Sequence, residues 1–353
     1  MVTVDPTDLG GGAPRGLRID LGLWALLALA VWLGLTVGAT GISVPGLFFD
    51  WVQGLPLSDR DRIILMEIRL PRPVAGAAVG AALAVSGALM QGLFRNPLAD
   101  PGLVGVGAGA GLGAVSAIVL GSLLPVGVLA AVGMHLVPLA AFLGGWGTTL
   151  LLYRMARQGG QVSIATMLLA GIAIAALAGA LTGILIQMAD DNQLRDLTFW
   201  GLGSLSGIGW ERLAFALPLI LPVLLLSPRL ARGLNALAMG EQAAWQMGIE
   251  TERLKSLTVL SVAAATGAAV AISGGIGFVG IVVPHLLRIA HGPDNRLLLP
   301  RAALLGAALL LLADVAARSL VPPSELAIGI VTACLGAPVF LWILLRPGQG
   351  AHL

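Results

Sequence analysis

The sequence contains few charged residues, which is its clearest departure from a soluble protein. Charged side chains make up 11% of the 353 residues, whereas soluble domains contain about 25%. Apolar residues make up 57%, and the mean hydropathy is +0.94. A chain with this composition requires lipid as its solvent, and we expect no nucleic-acid partner.

Cysteine and lysine each occur once. Cys334 cannot form a disulfide within the chain, and we expect it to be a small buried residue. No glycine-rich Walker sequence precedes Lys255, so the chain has no P-loop and cannot hydrolyse ATP by that chemistry. The histidines are scattered rather than clustered as metal ligands: His135, His285, His291 and His352. No spacing suggests a Ser/His/Asp or Cys/His arrangement, and we predict a protein that is not an enzyme and holds no metal or covalent cofactor.

The sequence is rich in apolar segments about 20 residues long, the length of a membrane-spanning helix. Helices are expected because each one satisfies its own backbone polar groups in lipid. The predicted spans are 21–39, 73–94, 102–124, 126–152, 163–188, 211–227, 256–273, 276–290, 300–318 and 326–345. We therefore predict an all-α integral membrane protein of about ten transmembrane helices.

The predicted domain organisation is a single transmembrane domain, 21–346, between two short tails, 1–20 and 347–353. An even number of spans places both tails on one side of the membrane. Most of the 20 basic residues lie on the cytoplasmic side if the N-terminus is inside. We therefore expect both termini to be cytoplasmic.

A short pattern in the second predicted span recurs in the seventh. The paired residues, at one constant offset, are Ala82, Ala84, Ser86, Gly87 and Pro97 with Ala269, Ala271, Ser273, Gly274 and Pro284. Because the second copy starts five helices later, the two copies point in opposite directions, as in the inverted repeats of alternating-access transporters. Chance matching among small residues is the alternative. We expect both Ser-Gly pairs to lie at helix ends.

Charged residues mark the outer ends of two predicted spans. Arg69 and Arg72 lie three residues apart before the second span, and Arg318 lies one helical turn after Asp314 in the ninth. One interpretation is snorkelling, in which the stem lies along lipid and the head reaches water. The other is a cationic surface that binds carboxylates of a partner or of an anionic substrate.

The longest predicted cytoplasmic loop spans residues 228–255. Its apolar spacing predicts two short amphipathic helices around Gly240, the second ending at Gly248. The loop could lie on the bilayer or form a docking surface for a cytoplasmic partner. Its mixed charge disfavours simple binding to anionic lipid.

Together these motifs resemble the ten-helix permeases of ABC importers for iron chelates, heme and cobalamin. The resemblance covers about residues 60–346. The residues that carry it are Arg69 to Arg72, Ser86-Gly87, Gln91, Asn96 to Gly102, Leu237 to Glu241, Ser273-Gly274, Ile276 to Gly280, Pro284-His285, Leu297 to Pro300, Asp314 to Arg318, and Leu335 to Phe340.

The resemblance implies a homodimer in the bacterial inner membrane with two copies of a separate cytoplasmic ATPase, which uses the ATP. A periplasmic binding protein would deliver the ligand. Three arginines would bind glutamates of that protein: Arg69, Arg72 and Arg318. An ATPase coupling loop would include Leu237, Met239, Gly240, Glu241 and Gly248. Two residues would contribute to the cytoplasmic gate: Asn96 and Leu98.

The expected substrate also follows from resemblance. Residues 240–248 and 252–255 look most like those of heme permeases, with ferric siderophores and cobalamin as alternatives. A secondary transporter driven by an ion gradient is the alternative class. It requires acidic residues in the middle of the membrane, for which Asp314 is the only candidate.

Overall fold

A computed structural model describes residues 15–38, 46, 49, 52–53, 58–159, 161–322 and 324–345. Residues 1–14 of the expected N-terminal tail, and the whole expected C-terminal tail, lie outside the described residues. The last part of the expected N-terminal tail is already helical, because the first helix begins at Arg15.

The described residues are almost entirely helical. The helices are α1 Arg15–Thr36, α2 Asp59–Ile63, α3 Pro71–Phe94, α4 Val106–Leu120, α5 Val126–Val132, α6 Leu136–Ala156, α7 Ile164–Met188, α8 Asp191–Leu202, α9 Trp210–Ala238, α10 Glu241–Gln246, α11 Thr251–Ser273, α12 Val279–His291, α13 Asn295–Ser319 and α14 Ile328–Leu345. A π-helical segment, Ile64–Arg69, joins α2 to α3, and 3₁₀ turns are at Pro101–Val104, Gly121–Leu123 and Gly133–His135. The strands β1 Arg157–Gln158 and β2 Gln161–Val162 form an antiparallel hairpin between α6 and α7.

Within the described ranges, eight helices are long and apolar enough to cross a membrane, and two shorter apolar helices accompany them. The two shorter helices are Val279–His291 and Ile328–Trp342. These ten segments correspond to the ten predicted spans. The prediction of an all-α membrane protein with about ten spans is confirmed.

Helix α3 is the centre of the helical packing. Of the most apolar stretch in the span Asp59–Phe94, 89% is buried by neighbouring helices, chiefly α9, α11, α12 and α13. Small residues permit this approach: a methyl group on Gly87 would overlap the backbone of Gly280, and one on Gly80 would overlap Gly306. The expected position of the first Ser-Gly pair is therefore wrong. Ser86-Gly87 lies inside α3, where the missing side chain admits α12, whereas Ser273-Gly274 does end α11.

Helix α7 has the opposite character. Only 17% of its most apolar stretch is buried, and Leu169, Ile172 and Ile184 are each at least 60% exposed. This surface is available to lipid or to another chain. The prediction that Cys334 is buried is also wrong, because it lies on an exposed face of α14.

The long loop expected at residues 228–255 is shorter in the structure. Helix α9 continues through Pro228 and ends only at Ala238, because Ala231, Leu234 and Leu237 pack into the core. The first of the two expected short helices is thus the end of a spanning helix. Only α10 and its flanking turns, residues 239–250, lie between α9 and α11.

Candidate functional site

The three arginines predicted at the outer side lie close together. Arg72, in the first turn of α3, donates from Nε to both carboxylate oxygens of Asp314 at 3.1 Å. Its Nη1 and Nη2 atoms donate to Glu325 at 3.0 and 2.8 Å. Charge-assisted bonds of this forked geometry are among the strongest in proteins. One guanidinium therefore joins α3, α13 and the segment that leads into α14.

The other two arginines hold the end of α1. Arg318 donates to the carbonyl oxygen of Val37 at 2.7 Å, and its Nε lies 3.2 Å from Asp314 as the helical spacing predicted. Arg69 donates to the carbonyl oxygen of Leu35 at 2.8 Å. Cations at a helix C-terminus satisfy its last carbonyls and its dipole. Snorkelling is thus not the role of these side chains, because their heads bind protein groups.

The cluster borders a cavity of about 340 Å³, which Ser206 and Gly207 also line. Hydrogen bonds from Arg72 lower the pKa of Glu325 below its ordinary value of 4.5. Glu67 lies at the edge of the cavity, while Asp314 pairs with Arg72 and Arg318, and Glu325 pairs with Arg72. Sequence reasoning missed Glu325, and the only local signal was an acidic residue just before an apolar helix.

Two glycines shape the segment around α10, which is predicted to be cytoplasmic. Gly240 precedes α10 with φ +109, and Gly248 follows it with φ +78, in a region that favours glycine. The amide of Gly248 donates to Trp245, and the amide of Ile249 donates to Ala244, which closes the helix end. The prediction that Gly248 ends this helix is confirmed.

The segment presents apolar side chains to the outside. Met239, Trp245 and Met247 are 63%, 74% and 60% exposed. Exposed aromatic residues and methionines are typical of the centres of protein interfaces. Leu237 differs from its expected role as a contact, because it is 1% exposed and anchors the end of α9. Glu241 is not free, since it forms an ion pair with Lys255 at 3.0 Å.

The predicted gate residues lie in a rigid turn between α3 and α4. Asn96 is exposed, and its side-chain oxygen accepts the amide of Leu98 at 2.8 Å. Asp100 accepts the amide of Gly102 at 2.7 Å in the same manner. Arg95 begins the turn in the left-handed region, with φ +52. The turn is therefore held by local bonds and can move as a unit.

These features, a charged cluster and an exposed short helix on one multi-pass membrane chain, agree with a transport permease. The family model described as the FecCD transport family matches residues 26–346. The chain belongs to the FecCD transport family. The resemblance predicted from the motifs is thereby confirmed.

Curated relatives of this FecCD member are also permeases, not enzymes. The hemin transport system permease protein HmuU of Yersinia pestis is 45% identical over 329 residues, which covers 93% of this chain and 96% of HmuU. The vitamin B12 import system permease protein BtuC of Escherichia coli O139:H28 is 43% identical over 336 residues, which covers 95% of this chain and 97% of BtuC. The resemblance therefore extends across almost the whole chain.

A solved structure described as an inward-facing conformation of a metal-chelate type ABC transporter has a TM-score of 0.81 and 32% sequence identity. It covers 93% of this chain and 99% of the other. The PsaBC structure from Streptococcus pneumoniae, at 17% identity and a TM-score of 0.56, shares the fold. The FecCD chain thus has the architecture of an ABC-transporter permease.

Proposed function

We propose that this chain is the permease of an ABC importer that moves heme from a periplasmic binding protein to the cytoplasm. The 45% identity to a hemin permease over 93% of the chain carries the proposal. The vitamin B12 permeases, at 43% identity, and the metal-chelate transporter keep cobalamin and ferric siderophores as alternatives. A translocation path for a large apolar porphyrin needs a cavity of matching shape lined by apolar side chains, and it does not need iron ligands.

The partner on the cytoplasmic side is a separate ATPase, which binds two copies of the permease. The exposed surface of Met239, Trp245 and Met247 supports this docking role for α10. A homodimer is supported by the exposed apolar surface of α7. Both termini then lie in the cytoplasm, and the protein lies in the bacterial inner membrane.

The partner on the periplasmic side is a binding protein that presents carboxylates. Arg69, Arg72 and Arg318 supply the guanidinium groups that receive them. Among the carboxylates that pair with these arginines, Glu325 is more accessible than Asp314: 39% of the Glu325 side chain is exposed, against 3% of the Asp314 side chain. A partner carboxylate therefore docks on Arg72 by exchange with Glu325, which limits the net gain in charge pairing.

Transport requires that the partners bind two conformations of the permease with different affinity. The docked binding protein releases ligand into an outward-facing cavity. ATP then moves α10, and the turn that contains Asn96 and Leu98 opens or closes the cytoplasmic side. An ion-coupled secondary transporter is disfavoured, because Asp314 is bound by two arginines near the end of a span.

The test is uptake into proteoliposomes that contain the permease, its ATPase and the loaded binding protein. Heme, a ferric siderophore and cobalamin are compared with and without ATP. We expect ATP-dependent accumulation of heme. Uptake of another ligand alone would overturn the substrate, and ion-driven uptake without the ATPase would overturn the class.

A further inference from the structure

Lys255 is the only lysine of the chain, and it is 2% exposed. It lies near the start of α11, at the end of that helix that adjoins α10. A buried ammonium group is costly unless charged and polar partners surround it. Its partners therefore indicate which parts of the chain this residue holds together.

The ammonium group reaches three separate parts of the chain. Its Nζ lies 3.0 Å from a carboxylate oxygen of Glu241, at the start of α10. It lies 2.9 Å from Glu252 on its own helix, and it donates to the carbonyl oxygen of Val162 at 3.2 Å. Since an ammonium group has three donors, these contacts use all of them.

Val162 is bound through both of its backbone polar groups. Its carbonyl oxygen accepts from Lys255, and its amide donates to the second carboxylate oxygen of Glu252 at 2.8 Å. Val162 is the last residue of the β1–β2 hairpin. The Lys255–Glu252 pair therefore fixes the end of the hairpin to α11.

No flexible residue separates Val162 from α7. Ser163 follows it directly, and the Ser163 hydroxyl oxygen accepts the amide of Thr166 as the N-cap of α7. The amide of Ser163 donates to the carbonyl oxygen of Ala156, the last residue of α6. A displacement of Val162 is therefore transmitted to the first turn of α7.

The two helices joined by this path differ in how firmly the core holds them. The most apolar stretch of α11 is 72% buried, whereas that of α7 is 17% buried. Within one copy of the chain, moving α7 therefore breaks fewer contacts than moving α11, and the exposed face of α7 is the one proposed above to meet the second copy. This difference makes α7 the element that responds when the shared ion pairs shift.

We propose that Lys255 is the positioning residue that transmits movement of α10 to α7. Movement of Glu241 with α10 shifts the ammonium group, and the carbonyl of Val162 follows it. The start of α7 is thereby repositioned without a direct contact between α7 and the ATPase. The inference rests on the proposed docking of an ATPase on α10.

The test uses the whole importer, reconstituted with its ATPase and binding protein. Lys255→Met removes the three contacts, and Arg154→Met removes an exposed positive charge from α6 as the matched control. A spin label on Leu169→Cys reports movement of α7, in a Cys334→Ser background because the native cysteine is exposed. Co-purification of the ATPase, its ATP turnover and transport are measured in parallel.

We expect Lys255→Met to retain the ATPase and its turnover, to lose the ATP-dependent shift of the label, and to transport on the order of tenfold more slowly. The control should shift the label and transport as the parent does. Transport and label movement in Lys255→Met equal to those of the control would overturn the inference. Failure of the parent itself to bind an ATPase would instead overturn the proposed function.

A second variant covers the case in which Lys255→Met does not fold. Glu241→Ala breaks the link to α10 and leaves the buried Lys255 ammonium group with two of its three partners. Because Glu241 also belongs to the proposed coupling loop, binding of the ATPase to this variant is measured first. Lys255 keeps Glu252 and Val162 in this variant. Loss of label movement with the ATPase still bound would support the transmission path, and normal label movement would refute it.

Discussion

Removal of the Arg72 side chain separates its structural role from its proposed docking role. Arg72→Gln removes three donor contacts of 3.0–3.1 Å from Asp314, whose side chain is only 3% exposed in the parent. Breaking a buried ion pair by removing one partner costs about 3–5 kcal/mol. Arg318 remains 3.2 Å from Asp314, so we expect the lower limit, about 3 kcal/mol. The pair with Glu325 is partly exposed and adds about 1 kcal/mol at most.

A second substitution tests that estimate. Asp314→Asn removes the buried charge that Arg72→Gln leaves without its main partner. The double variant should therefore be less destabilised than the two single variants added together, with a coupling energy of about 2 kcal/mol. A charge reversal at Arg72 is less informative, because it would place a third carboxylate beside Asp314 and Glu325.

The assay combines the unfolding free energy of the purified permease with the affinity of the binding protein for it. The double variant should regain stability without regaining docking, because Arg72 contacts the partner in the proposed complex and Asp314 does not. Arg60→Gln, an exposed arginine on α2, is the control and should change neither quantity. Additive destabilisation would refute the buried-pair reasoning, and full docking by the double variant would refute the docking role.

Two further predictions concern packing and pH. Gly87→Ala should lower the Tm of the purified permease, because the added methyl group overlaps the Gly280 backbone and overpacking costs about 1–3 kcal/mol. The control Gly147→Ala has open space around it and should leave the Tm unchanged. Equal Tm values would contradict the packing. Because the bond from Arg72 lowers the pKa of Glu325 below 4.5, this bond stabilises the fold at neutral pH and is lost as the pH falls through the lowered value. Glu325→Gln should therefore reduce the Tm at neutral pH but not in acid. A Tm difference between variant and parent that does not change with pH would show that the ionised Glu325–Arg72 bond is not its cause.

Much of the segment around α10 could be predicted from neighbouring residues in the chain. Gly240 and Gly248 adopt positive φ, which short-range backbone sterics favour for glycine, so the bounds of α10 follow from the residues beside it. The extent of α9 could not be predicted in this way. Its prolines and polar residues indicate an earlier end, and only packing of Leu234 and Leu237 against other helices extends it.

The outer cluster shows the same division. The helical spacing of Asp314 and Arg318 predicted their contact, because the two residues are one turn apart. The contacts of Arg72 with Asp314 and Glu325 join residues far apart in the chain, and no local pattern identifies them. The three arginines lie close together as expected, but the sequence did not indicate that carboxylates of the same chain already pair with Arg72 and Arg318. The docking role of the surface stays a prediction.

The sequence by itself determined that this is a membrane protein, because that follows from its composition. It also determined the helical spans from segment length, and the absence of a P-loop from residues adjacent in the chain. Only the tertiary structure decided which charges pair between residues far apart in the chain. The fold brings Glu241 and Val162 to Lys255, which already meets Glu252 on its own helix, and it buries the ammonium group among them. In an apolar protein each buried charge must find its partners across the packed helices, and packing decides which ones it meets.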